Sequence, residues 1–293
     1  MTKKIAVVGI GQMGAGMAKC LTQAGYDVLG FDISEKSRQA AAALGVATSD
    51  DLAATLRGRQ IILTSLPNAA ITIDAWTGAN GILAHAEPGS IGIELSTIDP
   101  ETMRRVAAAA KAKGVRMIDA PVSGGPDECA NGTLVIMTGG DRQDIESVDD
   151  VLKVLGSSYH YTGVIGTAKA VKLVNNMMSM ANIVAAAEAF SLGTAAGVEP
   201  ELLYSVLSQS GGKSHHFTKR FPKAIQGNFD PGFKMELGEK DMALAIEFGR
   251  SLSHPTPAAS AVRELMAQSL ASGYRGRDVV AMLDFYNRAH SSR

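Results

Sequence analysis

The chain has 293 residues, of which 46% are apolar, and a formal net charge of −1. That length predicts two domains, or one with a large extension. The balanced charge, with no basic block, argues against nucleic acid or an anionic membrane as a partner.

Cysteine and histidine usage points the same way. Cys20 and Cys129 make no metal or disulfide spacing, and the six histidines show no H-x-x-x-H pattern. A reduced, cytoplasmic protein with no metal is expected. The first strand begins almost at once, so no signal peptide is expected, and no stretch is long and apolar enough to span a bilayer.

The first elements are the most informative. An apolar run, Ile5 to Val8, meets Gly9, Gly11 and Gly14 in G-x-G-x-x-G spacing; a helical pattern follows, then a second apolar run ending at Asp32. In a dinucleotide site Gly9 makes the tight turn, Gly11 lets the backbone approach a pyrophosphate, and Gly14 lets helix and strand pack closely. Ile10, Gln12 and Met13 lie within that turn. The pyrophosphate is expected on the free N–H groups at the start of the helix. Asp32 can accept the hydroxyls of an adenosine ribose and would repel a 2′-phosphate. Lys36 and Arg38 are near but not adjacent, so NAD is expected over NADP.

Further strands are predicted in QIILTSLP (60–67), SIGIELST (90–97), VRMIDAPVSGG (115–125), TLVIMTGG (133–140) and SYHYTG (158–163), with alanine-rich helices between them. This alternation is the pattern of a parallel sheet. Ligands of such sheets bind outside the carboxyl ends of the strands. That selects Leu66, Pro67, Ser96, Thr97 and Ser123, Gly124 and Gly125. The bland alternative for Thr97 is a helix cap.

From Gly166 onward strand patterns disappear. One long helix, about 167–195 and ended by Gly197, is nearly apolar all round and should be buried, against another subunit if not within the chain. Helices follow in PELLYSVLSQS, SHHFTKRFPKAIQG, MELGEKDMALAIEFGRSL, PAASAVRELMAQSLASG and DVVAMLDFYNRAH. The expected fold is an α/β Rossmann-type N-terminal domain (1–164, dinucleotide-binding) plus an all-α C-terminal domain (165–293), joined by the long interdomain helix with a cleft between them. Within that helix stand Lys172, Asn175 and Asn176; Lys172 and Asn176 share a face. A lysine in a partly desolvated cleft suits general acid/base work. His215, His216, Lys219 and Arg220 form a polar cluster, read first as a solvated helix face and otherwise as a specificity element.

Four motifs together resemble the β-hydroxyacid dehydrogenase family, which includes 3-hydroxyisobutyrate dehydrogenase and tartronate semialdehyde (2-hydroxy-3-oxopropionate) reductase. They are GIGQMGAGMAKCL, DAPVSGG (119–125), GTAKAVKLVNN (166–176) and GFKMELGEKDMALA (232–245). The resemblance implies an NAD-dependent oxidoreductase that interconverts a short 3-hydroxy acid and its semialdehyde or keto acid. It implies Lys172 as general acid/base with Asn176 and Asn175 orienting substrate, and Ser123, Gly124 and Gly125 as the seat of the substrate carboxylate. Leu66, Pro67 and Thr97 are implied at the nicotinamide, Lys240 at the cofactor, and Phe233 and Asp241 at the border of the same cleft. It also implies a dimer or tetramer. The alternatives are an imine reductase, which shares the two-domain plan but has other residue types at the lysine position, and a nicotinamide-cofactor-binding protein without turnover.

Overall fold

The computed structural model describes residues 3–291, with side chains through residue 288. The chain falls into two compact units, Met1–Lys172 and Leu173–Arg293.

In the first unit the strands are β1 (Lys4–Val8), β2 (Asp27–Phe31), β3 (Ala47–Ser49), β4 (Ile61–Thr64), β5 (Ile91–Glu94), β6 (Arg116–Asp119), β7 (Val122–Ser123), β8 (Leu134–Gly139) and β9 (Gly156–Gly163). The helices between them are α1 (Gln12–Gln23), α2 (Glu35–Ala43), α3 (Leu52–Leu56), α4 (Ala69–Thr77), α5 (Ile82–His85), α6 (Pro100–Ala112), α7 (Pro126–Ala130), α8 (Arg142–Ser147) and α9 (Asp149–Leu155). Among the described residues these strands form one sheet in the order β3-β2-β1-β4-β5-β6-β8-β7, with β9 on β8. The β3-to-β6 part is parallel and has the strand order of a dinucleotide-binding sheet.

Parallel strands are buried on both faces, and here alternate residues serve different cores. Ile5 and Val7 of β1 join Met17 and Leu21 of α1 on one side. Ala6 and Val8 join Trp76, Ile82 and Met103 on the other.

Three features depart from the sequence reading. The sheet is mixed, because β8 runs antiparallel to β6 and β7. The single run expected over 115–125 breaks into β6 and β7 around Pro121, which has no N–H for a ladder; its carbonyl accepts from Met137 N instead. The edge strand β3 is only three residues long and has no apolar run to announce it.

Helix α10 (Thr167–Ala195) is 29 residues long and ends before Gly197, whose φ is +89°. It is not buried all round. Val171, Val174, Met178 and Leu192 are exposed, Met178 by 60% and Leu192 by 69%. The spacing of three, four and fourteen residues puts them on one stripe of the helix.

The second unit continues with α11 (Pro200–Leu207), α12 (His215–Ile225), α13 (Met235–Ser251), α14 (Pro257–Ser269) and α15 (Met282–Ser291). Its core packs Ile183, Val184 and Phe190 of α10 against Phe217 and Phe221 of α12, and Met242 and Met266 of α13 and α14. Pro222 lies inside α12 and cannot donate to the Thr218 carbonyl, which accepts the Tyr204 hydroxyl instead.

Cys20 and Cys129 are free thiols, both buried. The Cys20 Sγ–H points to the carbonyls of Cys129 and Ala130, and that of Cys129 to the carbonyl of Met13. Burial raises both pKa values, that of Cys129 to about 12.

Candidate active site

The glycine turn has the geometry its spacing demands. Gly9 has a φ of +85°, and a Cβ on it would collide with the Ser65 carbonyl of the β4 end. A Cβ on Gly14 would collide with the Gly9 carbonyl, so α1 can pack on β1 only with glycine there. A Cβ on Gly11 would meet nothing within 4 Å. Gly11 also starts α1 without a side-chain cap. Open space over an uncapped helix start, flanked by exposed Gln12 and half-buried Met13, fits the pyrophosphate of a dinucleotide. Ile10 contributes differently, since its side chain is core and its N–H donates to Asp32 Oδ2 at 3.1 Å. Ser34 N–H holds the other carboxylate oxygen at 2.8 Å. Asp32 is thus oriented from both sides at the tip of β2, where an adenosine ribose would lie. Arg38 donates to the main-chain carbonyl of Asp32 at 2.8 Å and lies 3.9 Å from Asp50 Oδ2.

The loops after β4 and β5 meet. The Ser96 hydroxyl accepts from Leu66 N–H at 2.8 Å, so Ser96 is a buried tie between the loops. Leu66 is half-buried, Pro67 exposed and Thr97 half-buried. Thr97 is not the helix cap; Asp99 caps α6 through Thr102 N–H at 2.8 Å.

After β7 the backbone of Ser123, Gly124 and Gly125 leads into α7. Gly124 has a φ of +137° and lies over Leu134 and the Glu128 stem. The Gly125 N–H donates to Glu128 Oε2 at 2.7 Å. An internal carboxylate therefore holds one of the amides that the resemblance assigns to a substrate carboxylate. Nothing in the periodicity singled Glu128 out.

On α10, Lys172 is 9% exposed and Asn176, one turn on, is 6% exposed. Asn176 Nδ2 donates to Asp241 Oδ2 of α13 at 2.6 Å, and its Oδ1 accepts from Asn175 Nδ2 at 3.1 Å. Lys240 Nζ lies 3.0 Å from Asp241 Oδ1. Asn175, Asn176, Lys240 and Asp241 are thus one polar group in the second unit.

Phe233 is held by its backbone. Its N–H and that of Gly232 donate to Asp278 Oδ2 at 3.0 and 2.9 Å, and Arg220 pairs with the same oxygen. The cluster expected as a solvated face therefore divides. His215 and Lys219 are exposed, whereas Arg220 and His216 turn inward and Arg220 Nε approaches His216 Nδ1 at 3.4 Å. Burial first, then the positive charges of Arg220, His215 and Lys219, push the His216 pKa down to about 4. Asp278 was invisible in the sequence, because the partners of its Oδ2 lie 45 to 58 residues away.

No group of three or more metal-ligating side chains occurs among the described residues, and none of their helices is long and apolar enough to cross a membrane.

Comparison with known proteins agrees along the whole chain. Residues 4–166 match the model for the NAD binding domain of 6-phosphogluconate dehydrogenase. Residues 166–286 match that for the NAD-binding of NADP-dependent 3-hydroxyisobutyrate dehydrogenase. The 2-(hydroxymethyl)glutarate dehydrogenase of Eubacterium barkeri is 33% identical, over 97% of this chain and 95% of that protein. The solved structure of Mycobacterium tuberculosis 3-hydroxyisobutyrate dehydrogenase with L-serine is 30% identical, covers 100% of both chains and superposes with a TM-score of 0.89. An imine reductase from Pseudomonas sp. is 17% identical over 97% of this chain and 99% of its own, with a TM-score of 0.64, a likeness of fold alone.

Proposed function

Because the chain belongs to the β-hydroxyacid dehydrogenase family of NAD(P)-dependent oxidoreductases acting on CH–OH groups, we propose that it interconverts a short 3-hydroxy acid and its semialdehyde or keto acid, with NAD preferred. The observation that carries this reading is the pair on α10: a lysine and an amide, one turn apart, each less than a tenth exposed. A lysine that shares a helix face with a fixed amide is placed to move a proton to and from an oxygen seated beside them.

The glycine turn (Gly9, Ile10, Gly11, Gln12, Met13, Gly14) with Asp32 holds the cofactor's adenosine and pyrophosphate. Leu66, Pro67, Thr97, Phe233 and Lys240 hold the remainder. When bound, NAD supplies the hydride acceptor. Ser123, Gly124 and Gly125 take the substrate carboxylate. The Lys172 amine accepts the proton of the substrate hydroxyl during oxidation and returns it to the carbonyl oxygen in reduction. Asn176 and Asn175 orient that hydroxyl; a positioned acid/base contributes about 10²–10⁴-fold.

Relatives support the substrate class through their names, one acting on 2-(hydroxymethyl)glutarate and one on 3-hydroxyisobutyrate with L-serine bound. The free, buried thiols support a reducing, cytoplasmic setting. The exposed apolar stripe of α10, with exposed Leu202 and Val206 on α11, supports self-association to a dimer or tetramer. Sedimentation of Met178→Lys checks the last point, and an unchanged mass would remove the stripe from it.

The functional test is NADH absorbance over a panel of short 3-hydroxy acids, with Lys172→Ala beside the wild type. Turnover in the wild type and a loss of at least about 10²-fold in the variant, with NAD still bound, are expected. Tight NAD binding with silence across the panel would favour a non-catalytic binder.

A further inference from the structure

A second lysine lies one turn before Lys172 and has a different task. Lys169 is fully buried. Its ammonium lies 2.6 Å from Glu94 Oε2, 3.2 Å from Asp119 Oδ1 and 2.9 Å from the Glu94 carbonyl. Both carboxylates are also fully buried, at the carboxyl ends of β5 and β6. Two carboxylates sharing one ammonium inside a protein are kept only where other bonds hold them.

Those bonds run to the parts that the proposed reaction needs. Asp119 Oδ2 accepts from the N–H groups of Gly166 and Lys169 at 3.0 and 3.2 Å, so a strand 47 residues earlier caps the first turn of α10. Glu94 Oε1 accepts from Ser96 N–H at 3.1 Å and from the Thr64 hydroxyl at 3.4 Å. Ser96 in turn fixes Leu66 N–H. Trp76, the chain's single tryptophan, donates its indole N–H to Thr64 Oγ1 at 3.3 Å.

We propose that Lys169 is a positioning residue: with Glu94 and Asp119 it ties the first turn of α10 to the loops after β4 and β5, so that Lys172 starts from a fixed point relative to Leu66 and Thr97. All of these groups lie in the first unit. Lys172 stands three residues, about 4.5 Å of helix rise, beyond the node. A shift of the first turn is therefore passed on to Lys172. Misplacement of a reacting group by about 1 Å can cost about 10²-fold in rate. The inference rests on the role given to Lys172 above.

The test compares wild type, Lys169→Met and Lys169→Gln in the full-length protein. Lys169→Met removes the charge and its donors; Lys169→Gln keeps a donor. The expected result is a fall in kcat of about 10²-fold for Lys169→Met, with the NAD dissociation constant, followed by calorimetry, within about threefold of wild type. Lys169→Gln should recover part of the loss, and Trp76 emission should shift in the cofactor-free Lys169→Met protein. A lower melting temperature with unchanged kcat would reduce Lys169 to a structural ion pair and overturn the proposal. If Lys169→Met does not fold, Glu94→Gln takes its place: it keeps an acceptor for Ser96 N–H and weakens the hold on Lys169. Unchanged kcat and unchanged Trp76 emission in Glu94→Gln would overturn the proposal equally. Failure of the parent reading looks different, because the wild type would then be silent on the panel. Amide exchange at Leu66 and Gly166 decides the tie in that case, faster exchange in Lys169→Met, or in Glu94→Gln where Lys169→Met does not fold, supporting it and unchanged exchange overturning it.

Discussion

Asn176 Nδ2 and Asp241 Oδ2 lie 2.6 Å apart across 65 residues of sequence, and that bond sets which way the Asn176 amide faces. With Nδ2 committed to Asp241 and Oδ1 receiving Asn175 Nδ2, neither end of the amide is free to turn. Replacing Asp241 by Ala should leave a buried amide and the Lys240 ammonium without this acceptor. The expected cost is about 1–3 kcal/mol of stability. A loss of at least about tenfold in kcat should accompany it if Asn176 orients substrate. Thermal melts and steady-state kinetics on the purified variant separate the two effects. Full kcat in a destabilised variant would free Asn176 from that role.

Asp32 should govern the choice of cofactor. Its carboxylate is oriented by two backbone amides, and a 2′-phosphate placed there would meet a like charge. Wild-type kcat/KM is expected to favour NAD over NADP by at least about tenfold, or about 1.4 kcal/mol. Asp32→Ser removes the repulsion and leaves Arg38 beside the position, so the ratio should move toward NADP. A ratio unaffected by the substitution would place the discrimination elsewhere.

Glu128 competes for an amide with any substrate carboxylate seated at Ser123–Gly125. Glu128→Gln keeps the shape and weakens the acceptor at Gly125 N–H. KM for a 3-hydroxy acid should fall severalfold with kcat little changed, and Glu128→Ala should do the same with a stability cost of about 0.5–2 kcal/mol as a helix-start contact is lost. An unchanged KM in both would mean that Gly125 does not bind the carboxylate.

His216 makes stability depend on pH. In the folded chain its pKa is pushed down to about 4 by burial and by neighbouring positive charge, with Asp278 opposing. In the unfolded chain it titrates near 6.5. Between these values the unfolded state binds more protons, so stability falls as pH drops from about 6.5 toward 4 and is unaffected by this group above that window. His216→Asn should flatten that part of a melting-temperature profile. A variant that keeps the wild-type slope would assign the acid sensitivity to other groups.

Local chemistry made much of this molecule legible. Gly9, Gly11 and Gly14 declare their turn because the required backbone leaves few alternatives, and Lys172 declares itself because an amine in an apolar helix demands a reason. Lys169 stands in the same helix and was passed over, since its reason lies in Glu94 and Asp119 at the ends of two strands 75 and 50 residues away. Asp278 was missed likewise, being an ordinary acid until the chain brings the Gly232 and Phe233 amides to it, whereas the Glu128 contact is local, an acid three residues after Gly125 at a helix start. The direction of β8 was equally hidden, because hydrophobic alternation is the same for a strand read either way. The exposed stripe of α10 shows the reverse limit: an apolar helix announces that it must be covered, not by what.

The two thiols carry a practical consequence. Each is sealed inside the first unit, its S–H directed at main-chain oxygens and its ionisation suppressed by burial. Maleimides and disulfide reagents act on accessible thiolate, so the native chain should stay unlabelled by them at neutral pH. A single cysteine introduced on the surface would then be the sole attachment point for a dye or spin probe, with no need to strip the protein of its own sulfur first.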